Sequence, residues 1–224
     1  RHLSQNEITR LTAVLRDHPQ RTSADAILIM MLTGARRSEV LKATWDQFDL
    51  DTGIWIKPSA HTKQRRLHRV PISAAAVDLL RRRQVDSEGA FVFPGSDPSK
   101  PLTEVKRIWA TVCREAGLSE WAPVQTRDGH IKQDEAGADI YAWRSTVRLH
   151  DLRHTYASIL ASQGLSLPII GALLGHTQPQ TTARYAHLLD DPLREATERA
   201  ARAISSNGQG VNRTFDRAEP GSKA

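Results

Sequence analysis

The chain has 224 residues, 39% hydrophobic and 25% charged, with a mean hydropathy of −0.46, enough for one or two domains with a sizeable core. No apolar run approaches the roughly 20 residues that a membrane-spanning helix needs, and the long apolar stretch from Ala26 to Leu32 has the length of a buried helix. A formal charge of +6 and a pI of 9.8 favour a polyanionic partner, because Lys and Arg neutralise phosphates and release counterions, although such an excess is also common on ordinary soluble domains.

The single cysteine, Cys113, excludes a disulfide framework within the chain and a Cys-based zinc site, and it falls at an apolar position of a predicted helix. No signal or transit segment is visible, so a cytoplasmic location without membrane attachment is expected. The chain opens without Met, almost directly into a helix start, and reads as a piece of a longer protein.

Ser4 and Glu7 form a capping-box pattern, and Ile8, Leu11 and Leu15 follow at helical spacing, so a first helix is expected to about Asp17. Thr22 and Asp25 repeat that signal before the apolar run, which should end near Gly34; a third helix from about Arg36 carries Val40 and Leu41 inward. Three short β-rich runs follow, Gly53 to Lys57, Arg69 to Ile72 and Ala90 to Phe93, as expected of a small antiparallel sheet. Between the first two lies a basic turn, His61 to Arg69, which by itself reads as a solvated surface.

Ser73 should cap a helix through Val77, Leu79 and Leu80, and Thr103 another through Val105, Ile108 and Val112 to a stop at Gly117. Residues 119–146 lack a clean period and read as a loop-rich insertion, a length unusual inside a domain. Three helices are then expected. The first runs from about His150 to Gln163, the second is capped by Ser166 with Ile169, Ile170 and Leu173 inward, and the third begins at Pro179 and holds Tyr185. A further helix is expected from Pro192 to about Ile204, with Leu193, Ala196, Ala200 and Ile204 on one stripe, before a disordered polar tail over 205–224. The class is α+β, mainly α-helical with a small antiparallel β-sheet.

The residue types suited to chemistry sit mostly in the last third. His150 and Arg153 are three apart and share a helix face, which can aim an imidazole and a guanidinium at one phosphate; a solvated helix face shows the same spacing. His154, four after His150, could pair with it on a metal, but no third ligand at useful spacing is apparent and no metal site is expected. Arg36 opens a helix, where backbone N–H groups already favour an anion, whereas Arg37 would point about 100° away. Glu39 could brace the Arg36 guanidinium or form only a solvated ion pair. Tyr185 needs neighbouring cations or a base to act as a nucleophile, since a phenol ionises near pH 10; otherwise it is a packing residue, as Tyr141 and Tyr156 are read to be.

Taken in order, the stretch Leu32 to Leu41 (LTGARRSEVL), Lys63 eight residues before Pro71, His150 to Thr155 (HDLRHT), and Leu173 to Thr177 (LLGHT) through Tyr185 resemble the catalytic domain of tyrosine recombinases, the phage integrase class. The resemblance covers roughly residues 1 to 190. It implies the integrase catalytic fold over residues 1–204, and a site-specific recombinase of a phage or mobile element that cleaves and rejoins DNA through a 3′-phosphotyrosyl intermediate. By position, Tyr185 would be the nucleophile, Arg36 and Arg153 would hold the non-bridging oxygens, and Lys63 would protonate the leaving 5′-oxygen. His150 would act in proton transfer at the nucleophile, His176 would donate to the phosphate, and Glu39 would support the site. Arg65, Arg66 and Arg69 would contact DNA.

No cofactor, metal or ATP is implied. The partners implied are double-stranded DNA, further copies of the chain in a homotetramer on DNA, with the isolated piece a monomer, and accessory directionality factors. Two departures stand out: nothing corresponds to the family's amino-terminal DNA-binding domain, and residues 119–146 are longer than the usual connection. A type IB topoisomerase uses a similar residue set, and a non-catalytic DNA-binding module on the same fold would not need Tyr185 and Lys63.

Overall fold

A computed structural model of the chain describes residues 1–58, 67–85 and 87–206. Helix α1, Gln5–Asp17, starts at the expected capping box: the Glu7 amide donates to Ser4 Oγ at 3.4 Å and the Ser4 amide donates to the Glu7 carboxylate at 2.8 Å. Helix α2, Arg21–Thr33, begins earlier than its sequence signal, with Thr22 and Asp25 inside it and no side-chain cap at Gln20. Asp25 is buried and paired with Arg21 and with Arg83, so its carboxylate serves a tertiary contact rather than the helix end.

Gly34 closes α2 in the left-handed region at φ 62°. A Cβ there would come within 2.5 Å of the Tyr156 ring, so both backbone and packing require glycine. Helix α3, Arg37–Leu41, follows with Val40 and Leu41 buried.

Strands β1, Phe48–Asp49, β2, Ile54–Lys57, and β3, His68–Pro71, form one antiparallel sheet in that order, with Trp55 opposite both Phe48 and Val70. The run Ala90 to Phe93 is not one of its strands. Val92 and Phe93 are buried, but the segment lies along residues 43–45, where the Trp45 amide donates to Ala90 O and the Val92 amide to Ala43 O.

Helix α4, Ala74–Val85, follows Ser73 as expected. Helix α5, Lys106–Glu115, starts three residues beyond Thr103, which is not its cap. The Leu102 amide donates to Phe93 O at 2.8 Å, and this tie keeps the chain extended before the helix.

Within residues 119–146, expected as a loop-rich insertion, the structure places a hairpin. Strands β4, Ser119–Pro123, and β5, Tyr141–Ser145, pair antiparallel with Trp121 opposite Trp143, and tight turns at Gly129 and Gly137 fold the chain between them. The Thr146 amide donates to Leu118 O, so this hairpin leaves and re-enters the domain at one point. None of its strand residues is fully buried, and without a buried face no alternation of polar and apolar residues was written into the sequence.

Helices α6, Leu149–Ser162, α7, Leu167–Leu174, and α8, Pro179–Ala183, precede a short 3-10 turn at Ala186–Leu189 and helix α9, Asp190–Ser206. In α7 the buried residues are Ile170, Gly171 and Leu174, while Ile169 is exposed. Tyr185 lies beyond α8, at the residue before the 3-10 turn. On α9, Leu193 and Ile204 are exposed.

The main core gathers α1 to α5, the first sheet and Leu152. A smaller core joins Ala157 and Ala161 of α6 to Ile170, Leu174 and Tyr185. Helix α6 therefore belongs to both, and its first two turns lie at their junction. Among the described residues no helix is long and apolar enough to cross a membrane.

Candidate active site

The ends of α2 and α7 meet beside α6, and Arg153 fills the space between them. It is 5% exposed and donates from its two terminal nitrogens to Gly34 O and Leu174 O, each at 2.7 Å. Both acceptors are carbonyls at helix carboxyl ends, where partial negative charge favours a cation. Burial and then the charge of Arg36 push the Arg153 guanidinium down to about 10, which leaves it protonated at neutral pH.

Arg36 occupies the position before α3, with Nη1 2.7 Å from Glu39 Oε1 and Nη2 3.4 Å from Gly175 O. Glu39 thus braces Arg36, as the spacing suggested, but it also accepts from Lys57 Nζ at 3.2 Å. Burial alone would raise the Glu39 carboxyl; Lys57 and Arg36 outweigh it and hold the group below the ordinary carboxylate range. Lys57 is buried at the end of β2 with its ammonium over the Trp55 ring. Burial lowers its pKa, and the pairing with Glu39 only partly offsets this.

The sequence signal for Lys57 is a charge at an inward position of a short strand. Replacing it by Met is expected to lower stability by about 2 kcal/mol, because Glu39 then keeps only Arg36 as a cation. Glu39 stabilises the fold fully above its unfolded value of 4.5, and that stability is lost as pH falls through its lower folded value. Urea titrations of Lys57→Met should therefore show a shallower loss between neutral and acid pH than wild type. Adding Glu39→Gln should recover part of the loss.

His176 directly follows Gly175, the left-handed cap of α7. A Cβ on Gly175 would come within 2.7 Å of the His68 ring, and His68 Nε2 itself lies 2.5 Å from Ala172 O. His176 Nδ1 is 2.8 Å from Thr182 Oγ1. Burial, then the charges of Arg153 and Arg36, lower its pKa to about 4, so the ring is neutral at pH 7. In the tautomer with the ring proton on Nε2, Nδ1 accepts from the Thr182 hydroxyl.

Tyr185 is 5% exposed, and its hydroxyl is 2.7 Å from His154 Nδ1. Burial raises the phenol pKa, and the charges of Arg184 and Arg153 oppose that rise. His150 is exposed and meets the His154 ring edge-on at 4.8 Å; among the described residues no hydrogen bond joins it to Tyr185. The family resemblance implies His150, not His154, at the nucleophile. His154 was weighed only as a metal partner, although the same spacing puts it one turn further along the face.

The structure therefore brings together Arg36, Glu39, Arg153, His176 and Tyr185, with His150 at the edge. Lys63, Arg65 and Arg66 lie outside the described residues. Arg69 is exposed on β3, on the face opposite the buried Val70. Basic depressions flank the site. One of about 320 Å³ is lined by Ala35, Arg37, Arg148, Leu149, His150 and Arg153, so Arg37 faces it without sharing the pairings of Arg36. Another, of about 260 Å³, opens onto His154, Arg184 and Tyr185. Among the described residues no group of three or more His, Cys, Asp or Glu is placed to hold a metal ion.

A mainly helical domain with small antiparallel sheets, gathering two arginines, histidines and a tyrosine in this order, defines the tyrosine recombinase catalytic fold. The catalytic domain of bacteriophage HP1 integrase has the same fold, with a TM-score of 0.59 at 20% identity over 97% of this chain and 98% of that one. XerH site-specific recombinase, bound to a palindromic difH substrate in a post-cleavage complex, superposes at a TM-score of 0.63 with 19% identity over 88% of this chain and 52% of its own.

The model of the phage integrase family matches residues 1–191, and the chain belongs to that family. Relatives include the integrase of Salmonella phage P22, 25% identical over 96% of this chain and 53% of its own. Tyrosine recombinase XerC of Xanthomonas campestris pv. campestris is 32% identical over 83% of this chain and 51% of its own. The chain spans about half the length of these curated relatives.

Proposed function

We propose that the chain is the catalytic domain of a site-specific DNA recombinase of a phage or mobile element, acting on double-stranded DNA through a 3′-phosphotyrosyl intermediate. The observation that carries this reading is the convergence of Arg36, Arg153, His176 and Tyr185, from distant parts of the sequence, at the meeting of α2, α6 and α7. Two guanidinium groups gathered there suit the non-bridging oxygens of one phosphodiester and the charge that grows on them in the transition state. Neutral His176 donates from Nε2 to the same group. Glu39 and Lys57 hold Arg36 in place, and the buried Tyr185 hydroxyl attacks phosphorus. Lys63 protonates the departing 5′-oxygen, in keeping with its sequence position. The energy of the cleaved bond stays in the phosphotyrosyl ester, so rejoining needs neither ATP nor another cofactor.

Arg65, Arg66 and Arg69 serve DNA backbone contact in this reading, along with Arg37 and Arg148 in the adjoining depression. Residues 1–204 form the catalytic domain, and a separate DNA-binding domain completes a clamp on the duplex. The test is trapping on a nicked suicide duplex, with duplexes drawn from random sequence and enriched for adduct. The expected result is a covalent protein–DNA adduct whose peptide map places the 3′-phosphate on Tyr185; an adduct on Tyr141, Tyr156 or a serine overturns the assignment.

The exposed Leu193 and Ile204 of α9 favour an assembly of several protomers on DNA, a homotetramer, over the monomeric action of a DNA-relaxing enzyme. Leu193→Asp with Ile204→Asp is expected to leave monomer stability within about 0.5 kcal/mol, as surface changes do. The same pair should weaken multi-protomer complexes on DNA in native gels. A loss of fold would show instead that the stripe packs in cis.

A further inference from the structure

We infer that His154 is a catalytic residue, the group that accepts the proton of Tyr185 as its oxygen attacks the phosphodiester. The inference rests on the site reading above and moves proton transfer at the nucleophile, which the resemblance gives to His150, to a residue outside that roster. Three observations carry it. The Tyr185 hydroxyl lies 2.7 Å from His154 Nδ1, within direct proton-transfer distance. Both are fixed by packing: Tyr185 is 5% exposed among Ala157, Ala161, Ile170 and Leu174, and His154 is held on α6 one turn before Ser158. His150 is exposed and meets the His154 ring edge-on at 4.8 Å, while among the described residues the hydrogen bond to the phenol comes from His154.

A base must be neutral before it reacts. The charged and titratable groups around the ring are His150 and Asp151 on α6, His176 after α7, Arg184, Tyr185 and His187 after α8, and His2 with the amino group of Arg1. Burial first, then His150 and Arg184, lower the His154 pKa from 6.5, with Asp151 opposing them, so the ring is neutral at neutral pH. In the tautomer with its proton on Nε2, Nδ1 accepts from the Tyr185 O–H. In the step, the Tyr185 O–H bond breaks and an N–H bond forms at Nδ1. The phenol oxygen forms a bond to phosphorus, and the phosphorus–O5′ bond breaks with its electron pair on O5′, which is protonated by Lys63. Rejoining runs in reverse, with His154 returning the proton to the leaving phenol oxygen.

The experiment measures single-turnover adduct formation against pH on a nicked duplex that the wild-type chain cleaves. His154→Ala and His154→Gln, each checked for fold by circular dichroism, are both expected to be slower by about 100-fold or more, the usual share of a general base. The wild-type rate should fall as pH drops through the lowered His154 value, because protonation removes the acceptor. In His154→Ala that acid limb should vanish and the rate should climb with pH as Tyr185 ionises by itself. Added imidazole, or a fluorinated tyrosine of lower pKa at position 185, should restore part of the His154→Ala rate. Wild-type rate and pH profile in His154→Ala overturn the inference, as does full activity in His154→Gln. Faster cleavage in His154→Ala would show a latch rather than a base. If Tyr185→Phe still forms adduct, the site reading itself has failed; if the adduct depends on Tyr185 but ignores His154, only this inference falls.

Discussion

Tyr185→Phe should abolish the covalent adduct outright while changing stability by about 1 kcal/mol or less. The two effects separate because the ring and the hydroxyl do different things. The ring belongs to the smaller core with Ala157, Ala161, Ile170 and Leu174, and phenylalanine retains all of that contact. The hydroxyl makes one hydrogen bond, to His154, whose net contribution is of order 0.5–1.5 kcal/mol. Phenylalanine has no oxygen to attack phosphorus, so no residual covalent chemistry is expected at this position. Thermal unfolding and adduct gels on the same preparation check both halves; a collapsed melting temperature would place Tyr185 among purely structural residues.

Arg153→Ala should damage both fold and chemistry. The guanidinium is 5% exposed and supplies donors to Gly34 O and Leu174 O at 2.7 Å, so truncation strips both helix-end carbonyls of their partner in a place that water reaches poorly. At about 1–3 kcal/mol for a buried group left unsatisfied, the expected loss is about 2–4 kcal/mol in urea titration. For the reaction, removing one preorganised donor to a developing charge slows the step by about 100- to 1,000-fold.

Arg153→Lys separates the two. It keeps the charge, but a single ammonium lacks the rigid fork needed to hold two carbonyls and address a phosphate together. It should recover part of the stability and little of the adduct rate. Full activity in the Lys variant would mean that charge alone matters at this position.

Much of this architecture was legible because local chemistry and tertiary structure agree. Ser4 and Glu7 cap α1 as their spacing says, and Gly34, Gly164 and Gly175 stop helices in the left-handed conformation that favours glycine. Cys113 is buried in α5, its thiol pushed up to about 11 by burial. Where the reading failed, a distant contact had overridden a local signal. Thr22 and Asp25 looked like a helix start, but Asp25 was committed to Arg21 and Arg83. Thr103 looked like a cap, but the chain before α5 was tied to Phe93. The 119–146 hairpin was illegible because none of its strand residues is fully buried.

The amino-acid order by itself determined the family, the positions of most helices and the identity of the groups suited to a phosphate, since these follow from short-range spacing and residue type. Only the tertiary structure decided who touches whom. Arg153 reaches carbonyls of Gly34 and Leu174, Lys57 reaches back to Glu39, and Tyr185 meets His154 rather than His150. Those pairings join residues far apart in the chain, and they are set by how α2, α6 and α7 pack. A periodic pattern can say that a side chain turns inward, but the partner it finds there depends on the junction of two cores that no local stretch of sequence contains.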